Sequence, residues 1–334
     1  QVERGKMINR VKRIPFFRRL IERINNRLFA HYLPVYFDLY GQGKSQKDDV
    51  SNSAIQLHQH VPPGHFYSPI PDPKELLPDQ ERIFSKQLRD LRGISIPDEA
   101  MLACLKQFSE FVGDFPYPDN ANKGLRYSLS NGLFDWGEAI VLYSILRQFR
   151  PKRIIEVGSG FSSALMLDVN DQFLDHAVEF TFIDPYTERL GELLQPKDRL
   201  ATRLIRERLQ DIDLGLFETL EAGDIAFFDS THVSKCNSDV NLIFFDLLPR
   251  LKPGVLIHFH DVFYPFEYPE RWVMEMGVAW NEDYLLRAFL QFNQAFEIFF
   301  FNDYLFNHFR SQVEAAFKQP GNWLGSSIWL RKVK

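Results

Sequence analysis

Arg153-Ile154-Ile155-Glu156-Val157-Gly158-Ser159-Gly160-Phe161-Ser162-Ser163 is the stretch on which the reading of this chain turns. Ile154, Ile155 and Val157 suit a short buried strand, the Gly-Ser-Gly run suits a turn, and Ser162–Asn170 continues as a helix. Glycine has no Cβ, and the first amides of a helix have no partner within it. Such a turn therefore brings bare backbone N–H groups up to a ligand and predicts a nucleotide-cofactor site. A dinucleotide fingerprint calls for a third glycine where Ser163 stands and an acidic residue about 20 residues on. Neither is met cleanly: Glu156 lies inside the strand, and the next strand, Glu179–Ile183, runs into Asp184.

Outward from this stretch the chain alternates strands with helices. Before it, Leu125–Asp135 leads into a helix over Asp135–Arg150 that Pro151 stops. After it come a helix over Arg189–Leu194, a strand around Thr202–Arg206, a helix over Leu214–Leu220 and a buried strand over Asp224–Ser230. A helix over Val240–Leu251 precedes a fifth strand over Val255–Asp261. Asn281–Phe292 is helical, and Ala295–Phe301 and Ser326–Lys332 complete seven strands.

The Glu-Val-Gly-Ser-Gly run, with an aspartate closing the second strand, resembles the class I S-adenosylmethionine-dependent methyltransferases, over about residues 125–334. The fold that this implies is α/β: a Rossmann-like, seven-stranded, mostly parallel sheet with helices on both faces. The resemblance implies that Glu156, Gly158, Ser159, Gly160, Asp184, Gln210, Asp211 and Asp229 line S-adenosylmethionine, with Glu156 orienting it through the turn and Asp184 holding the ribose. Tyr127, Asn131 and Phe134, before the first strand, are further pocket candidates, with ordinary packing as the competing reading of each.

Reactive groups in open α/β sheets gather at the carboxyl ends of the strands. There the sequence places Asp229-Ser230-Thr231-His232 and His258-Phe259-His260-Asp261; on a strand His258 and His260 share a face. The second run and the following Phe263-Tyr-Pro-Phe-Glu-Tyr-Pro269 resemble a group of bacterial small-molecule methyltransferases. The pair of strand ends also looks like the metal-dependent O-methyltransferases, with His260-Asp261 standing where that family has Asp-Asn. His260, Asp261 and His232 are the catalytic candidates. Asp229, His260 and Asp261 are the candidate ligands of a divalent ion (Mg, Mn, Fe or Zn), with a histidine base as the competing arrangement. The expected activity is O-methylation of a small molecule or sugar. An inactive cofactor-binding module and a nicotinamide oxidoreductase are the alternatives.

At 334 residues, with 32 Phe, the chain has material for a large core and an N-terminal appendage. Residues 1–40 are expected to form a basic amphipathic helix, 41–124 a linker or lid and a helical cap, and 125–334 the methyltransferase domain. Residues 1–30 carry nine Arg and Lys against Glu3 and Glu22, a net +7 that leaves −12 for the remainder. Their apolar residues recur every three or four positions, which suits contact with an anionic membrane, an acidic partner or the protein's own surface. Two helices are expected between Asp79 and Gly113, the first carrying Ile83, Leu88 and Leu91. His65–Pro71 reads as a lid over the cofactor or as an arm pinned by its aromatics. No nucleic-acid substrate is indicated by a net charge of −5. Without an apolar run of spanning length, a cleavable signal or metal-type cysteine spacing, a cytoplasmic location is expected.

Overall fold

The computed structural model describes residues 61–117, 124–129, 131–318 and 323–334. The basic segment 1–30 and the start of the expected linker lie outside them. Seven strands form one sheet: β1 (Arg153–Val157), β2 (Glu179–Ile183), β3 (Thr202–Ile205), β4 (Ile225–Phe228), β5 (Leu256–His260), β6 (Phe296–Phe301) and β7 (Ser327–Lys332). Their order is β3-β2-β1-β4-β5-β7-β6. The first five run parallel, and β7 pairs antiparallel with both β5 and β6. All four residues of β4 and all five of β5 are buried, as expected of strands covered on both faces. The chain reverses its direction across the sheet between β1 and β4, so the crevice at their carboxyl ends is the switch point at which such sheets bind ligands.

Four helices matter most to the site and its surroundings: α1 (Asp98–Phe108), α2 (Trp136–Phe149), α3 (Phe161–Phe173) and α4 (Glu282–Leu290). Almost every residue of α2 up to Leu146 is buried, because it lies against α1 as well as α3. Its end is set by Arg150, whose left-handed backbone lets the chain turn before Pro151.

Three sequence expectations are corrected. The first helix expected after Asp79 is a single turn, Gln80–Ile83. Beyond it the chain is held open: the Arg89 N–H donates to the Tyr264 hydroxyl at 2.9 Å, Leu91 is buried and Leu88 faces solvent. The helix expected over Val240–Leu251 is a short α turn, a π turn over Ile243–Leu247 and a 3-10 turn over Leu248–Arg250, since Pro249 cannot continue an α-helical ladder. His65–Pro71 is held by its own backbone, with Gly64 N–H on Ile70 C=O at 3.0 Å. Its Phe66 and Tyr67 rings lie tilted against each other at 4.1 Å and, among the described residues, are exposed rather than packed on a surface. The adjoining Pro63, Gly64 and Ile70–Pro73 line a small cavity with Val273 and Gly277–Ala279.

Candidate active site

The glycine turn is built from the inside out. Glu156 is fully buried at the end of β1, and the Ser162 and Ser163 hydroxyls, from the first turn of α3, donate to its two oxygens. The Ser163 hydroxyl also accepts the Gly160 N–H at 3.0 Å. Ser163, at the place of a dinucleotide site's third glycine, thus ties the turn to the buried acid. Gly158 has φ +79°, and a Cβ there would lie 1.9 Å from the Asp229 carbonyl oxygen. The Asp229 N–H donates to Val157 C=O at 2.9 Å, so the turn and the end of β4 form one wall of the switch-point crevice.

Burial pushes the Glu156 carboxyl up to about 8, against the pull of its two serine donors. The ordinary value, 4.5, applies in the unfolded chain, so between about pH 4.5 and 8 the folded state holds the extra proton. Stability of the ligand-free protein should therefore fall as pH rises through that window. Glu156→Gln should match the wild type at pH 5 and exceed it by about 2–4 kcal/mol at pH 8. Urea melts of both proteins at the two pH values check this; equal gaps at both would show an ionised Glu156.

Asp184 stands just beyond β2, beside the turn. Its Oδ2 accepts the Ser159 N–H at 3.0 Å and the Ser159 hydroxyl at 3.2 Å, and its Oδ1 accepts the Tyr186 N–H at 2.7 Å. The carboxylate is thus fixed at the mouth of the crevice. Gln210 and Asp211 lie on a 3-10 turn after β3. Gln210 donates to Asn237 C=O at 2.9 Å, and Asp211 is held by Arg208 at 2.7 Å.

At the ends of β4 and β5 two buried histidines meet four carboxylates. His232, with φ +59°, places Nδ1 2.8 Å from Glu282 and Nε2 3.4 Å from Asp229 and 3.9 Å from Asp261. Burial lowers its pKa, but the hydrogen bonds to Asp229 and Glu282 outweigh this and raise it well above the usual imidazole value. His260 has Nδ1 3.3 Å from Glu138 and Nε2 3.7 Å from Asp261. Against burial, Glu138 and Asp261 lift it to about 9. Asp261, at φ +54°, accepts from the Ser326 hydroxyl at 2.8 Å. Among the described residues these carboxylates are ion-paired with the two histidines and with no Lys or Arg.

The sequence reading missed Glu138, from the first turn of α2. Gly325, at φ +92°, leaves room for it, since a Cβ there would lie 2.2 Å from the Glu138 Cγ, and Ser326 N–H donates to it at 3.1 Å. Burial pushes its carboxyl up to about 7 although His260 opposes the shift. Among the described residues, the set whose ligand atoms converge within 4.8 Å of one another, as one ion would require, is Glu138, His260 and Asp261; Asp229 stands outside it. His258 does share a face with His260, but it stacks on Phe227 at 3.8 Å between ring centroids, and burial keeps it neutral. Of the pocket candidates before β1, Tyr127 is a core residue whose hydroxyl donates to Phe134 C=O, and Phe134 packs against the His260 ring at 5.7 Å. Asn131 accepts the Leu133 N–H at 2.9 Å.

A family model described as a methyltransferase domain matches residues 155–262, from within β1 to just beyond β5. An uncharacterized protein of Archaeoglobus fulgidus is 37% identical over 171 residues, which span 49% of this chain and 76% of that protein. Among solved structures, the chain is similar to an S-adenosylhomocysteine-bound methyltransferase of Podospora anserina, PaMTH1 (14% identity, 79% and 98% of the two chains, TM-score 0.39). It is likewise similar to the O-methyltransferase TomG of Streptomyces achromogenes in complex with S-adenosylmethionine (14%, 72% and 92%, TM-score 0.38). The domain match sets the nicotinamide alternative aside.

Proposed function

We propose that this chain, which belongs to the class I S-adenosylmethionine-dependent methyltransferases, methylates an oxygen of a small-molecule or sugar acceptor, with His232 Nε2 taking the acceptor's proton. The observation that carries the reading is the position of His232: its Nε2 is 3.4 Å from Asp229, and the Asp229 backbone is the wall against which the Gly158 turn rests. Because, against burial, its carboxylate partners raise its pKa, the ring is free to take that proton at alkaline pH, and methyl transfer by this route should rise with pH. The bound cofactor supplies a methyl group already activated on a sulfonium. What remains for the protein is to align the acceptor and remove its proton as the oxygen attacks and the carbon–sulfur bond breaks. Gly158, Ser159 and Gly160 would offer backbone to the cofactor, and Asp184, fixed by Ser159 and Tyr186, would accept from its ribose hydroxyls. Asp184→Ala should weaken S-adenosylhomocysteine binding by about 1.5–3 kcal/mol in calorimetry, because a fixed carboxylate acceptor is lost. Unchanged affinity would remove Asp184 from the site.

The convergence of Glu138, His260 and Asp261 favours a second arrangement, in which a divalent ion on those three lowers the acceptor's hydroxyl pKa. Carboxylates and one imidazole suit Mg, Mn, Fe or Zn without selecting among them. Transfer of labelled methyl from S-adenosylmethionine to a small-molecule cell extract separates the readings. Activity that survives chelator and disappears in His232→Ala supports the histidine base; activity lost in chelator and restored by Mg or Mn supports the ion. Cofactor binding without any transfer would leave an inactive binding module.

Among the described residues no helix is long and apolar enough to cross a membrane. Residues 1–30 are proposed as a contact for an anionic membrane or an acidic partner, and a cytoplasmic location is part of the same reading. Liposome flotation without salt-sensitive binding would end the membrane version.

A further inference from the structure

His232 is held at its backbone, at Nδ1 and on one ring face. Glu282 Oε2 meets Nδ1 at 2.8 Å, and both side chains are buried. The Ser230 hydroxyl donates to the Glu282 carboxylate, 3.0 and 3.1 Å from its two oxygens, and accepts the His232 N–H at 3.0 Å. The N–H groups of Asn281 and Glu282 donate to His232 C=O at 3.1 and 3.2 Å. Trp280 covers one face of the imidazole, with ring centroids 4.3 Å apart. The remaining edge, Nε2, faces the Asp229 and Asp261 carboxylates at 3.4 and 3.9 Å.

We infer that Glu282 is a positioning residue: it binds Nδ1–H of His232, fixing the ring so that Nε2 is the atom presented to the acceptor hydroxyl. An acidic residue in the first turn of a helix ordinarily faces solvent and gains from the helix dipole there. Glu282 is instead desolvated, which is costly for a carboxylate unless it is hydrogen-bonded, and the groups that meet it are His232 Nδ1 and the Ser230 hydroxyl. A histidine that can carry its proton on either nitrogen is useful as a base only when the other nitrogen is fixed.

The inference rests on the proposed reaction, and its test keeps the two apart. Glu282→Gln keeps the shape and removes the charge. It should lower label transfer to the small-molecule extract roughly 10–100-fold, with S-adenosylhomocysteine affinity within about twofold of wild type. Glu282→Asp should recover part of that loss. In a His232→Ala background Glu282→Gln should cost nothing further, because a residue acting through His232 has nothing left to act on. An additive loss, or full activity in Glu282→Gln, would overturn the assignment. A readout free of any acceptor is the proton spectrum of protein labelled with nitrogen-15 histidine. An exchange-protected, low-field Nδ1–H signal that vanishes in His232→Asn should also vanish in Glu282→Gln, and its survival there refutes the inference. If wild type transfers no label, the reaction fails while this signal still decides the positioning.

Discussion

Arg126→Leu is expected to lower the unfolding free energy by about 3–5 kcal/mol, the usual cost of removing one partner from a buried ionic cluster. The guanidinium is 1% exposed and reaches Asp168 at 2.7 Å, Asp198 at 2.5 Å and Asp171 at 2.8 Å. Asp168 also accepts the backbone N–H groups of Arg126 and Tyr127. One cation thus joins the segment before α2 to the middle of α3 and to the turn where Asp198 accepts the Gln195 N–H. Without it, Asp168 and Asp198 are left charged and buried, or take up protons at a cost of the same order. Arg126→Lys should recover little, since an ammonium cannot span the carboxylates as the planar fork does. Urea denaturation followed by circular dichroism reads the loss; a midpoint within error of wild type would show that the cluster adds nothing to stability.

Gly158→Ala is the second large effect. Its backbone, at φ +79°, disfavours any side chain, and the new methyl would overlap the Asp229 carbonyl oxygen, a backbone atom that cannot rotate away. Left-handed strain of about 1–3 kcal/mol and a comparable packing penalty together predict a loss of about 3–5 kcal/mol. S-adenosylhomocysteine affinity should fall at least about tenfold, because relief of the overlap moves the end of β4 away from the turn. Gly223→Ala is the control: it has φ +89° but open space around the Cβ position, so it should cost only about 1 kcal/mol and leave affinity alone. Equal effects of the two substitutions on binding would show that the contact with Asp229 is immaterial.

The parts of this molecule legible in its sequence are those dictated by local patterns. Glu179–Ile183 reads as the strand that follows the glycine turn and is one, and the turn itself follows from an apolar run that ends in Gly-Ser-Gly. The positions of Asp229, His232, His260 and Asp261 at adjacent strand ends follow from strand order. Glu138 and Glu282 were hidden by their surroundings, for an acid in the first turn of a helix is what the helix dipole favours anywhere, and nothing local says that it turns inward. Arg126 was hidden because its partners lie 42 and 72 residues along the chain. The segment after Ile83 looked helical by spacing, but tertiary bonds from Lys86 and Arg89 to Tyr264 decide its path.

The placement of β7 between β5 and β6 bears on how the chain is made. As synthesis proceeds from the N-terminus, β6 emerges before β7 yet has no other strand to pair with, and β5 presents a bare edge until β7 arrives. The bond from Ser326 to Glu138 closes a loop of 188 residues, so Glu138 of α2 and Asp261, just after β5, meet their shared donor among the last events of folding. A nascent chain that lacks β7 therefore has an unfinished sheet and an unfinished candidate site at once, and that long closure favours slow assembly with an exposed strand edge in the interval.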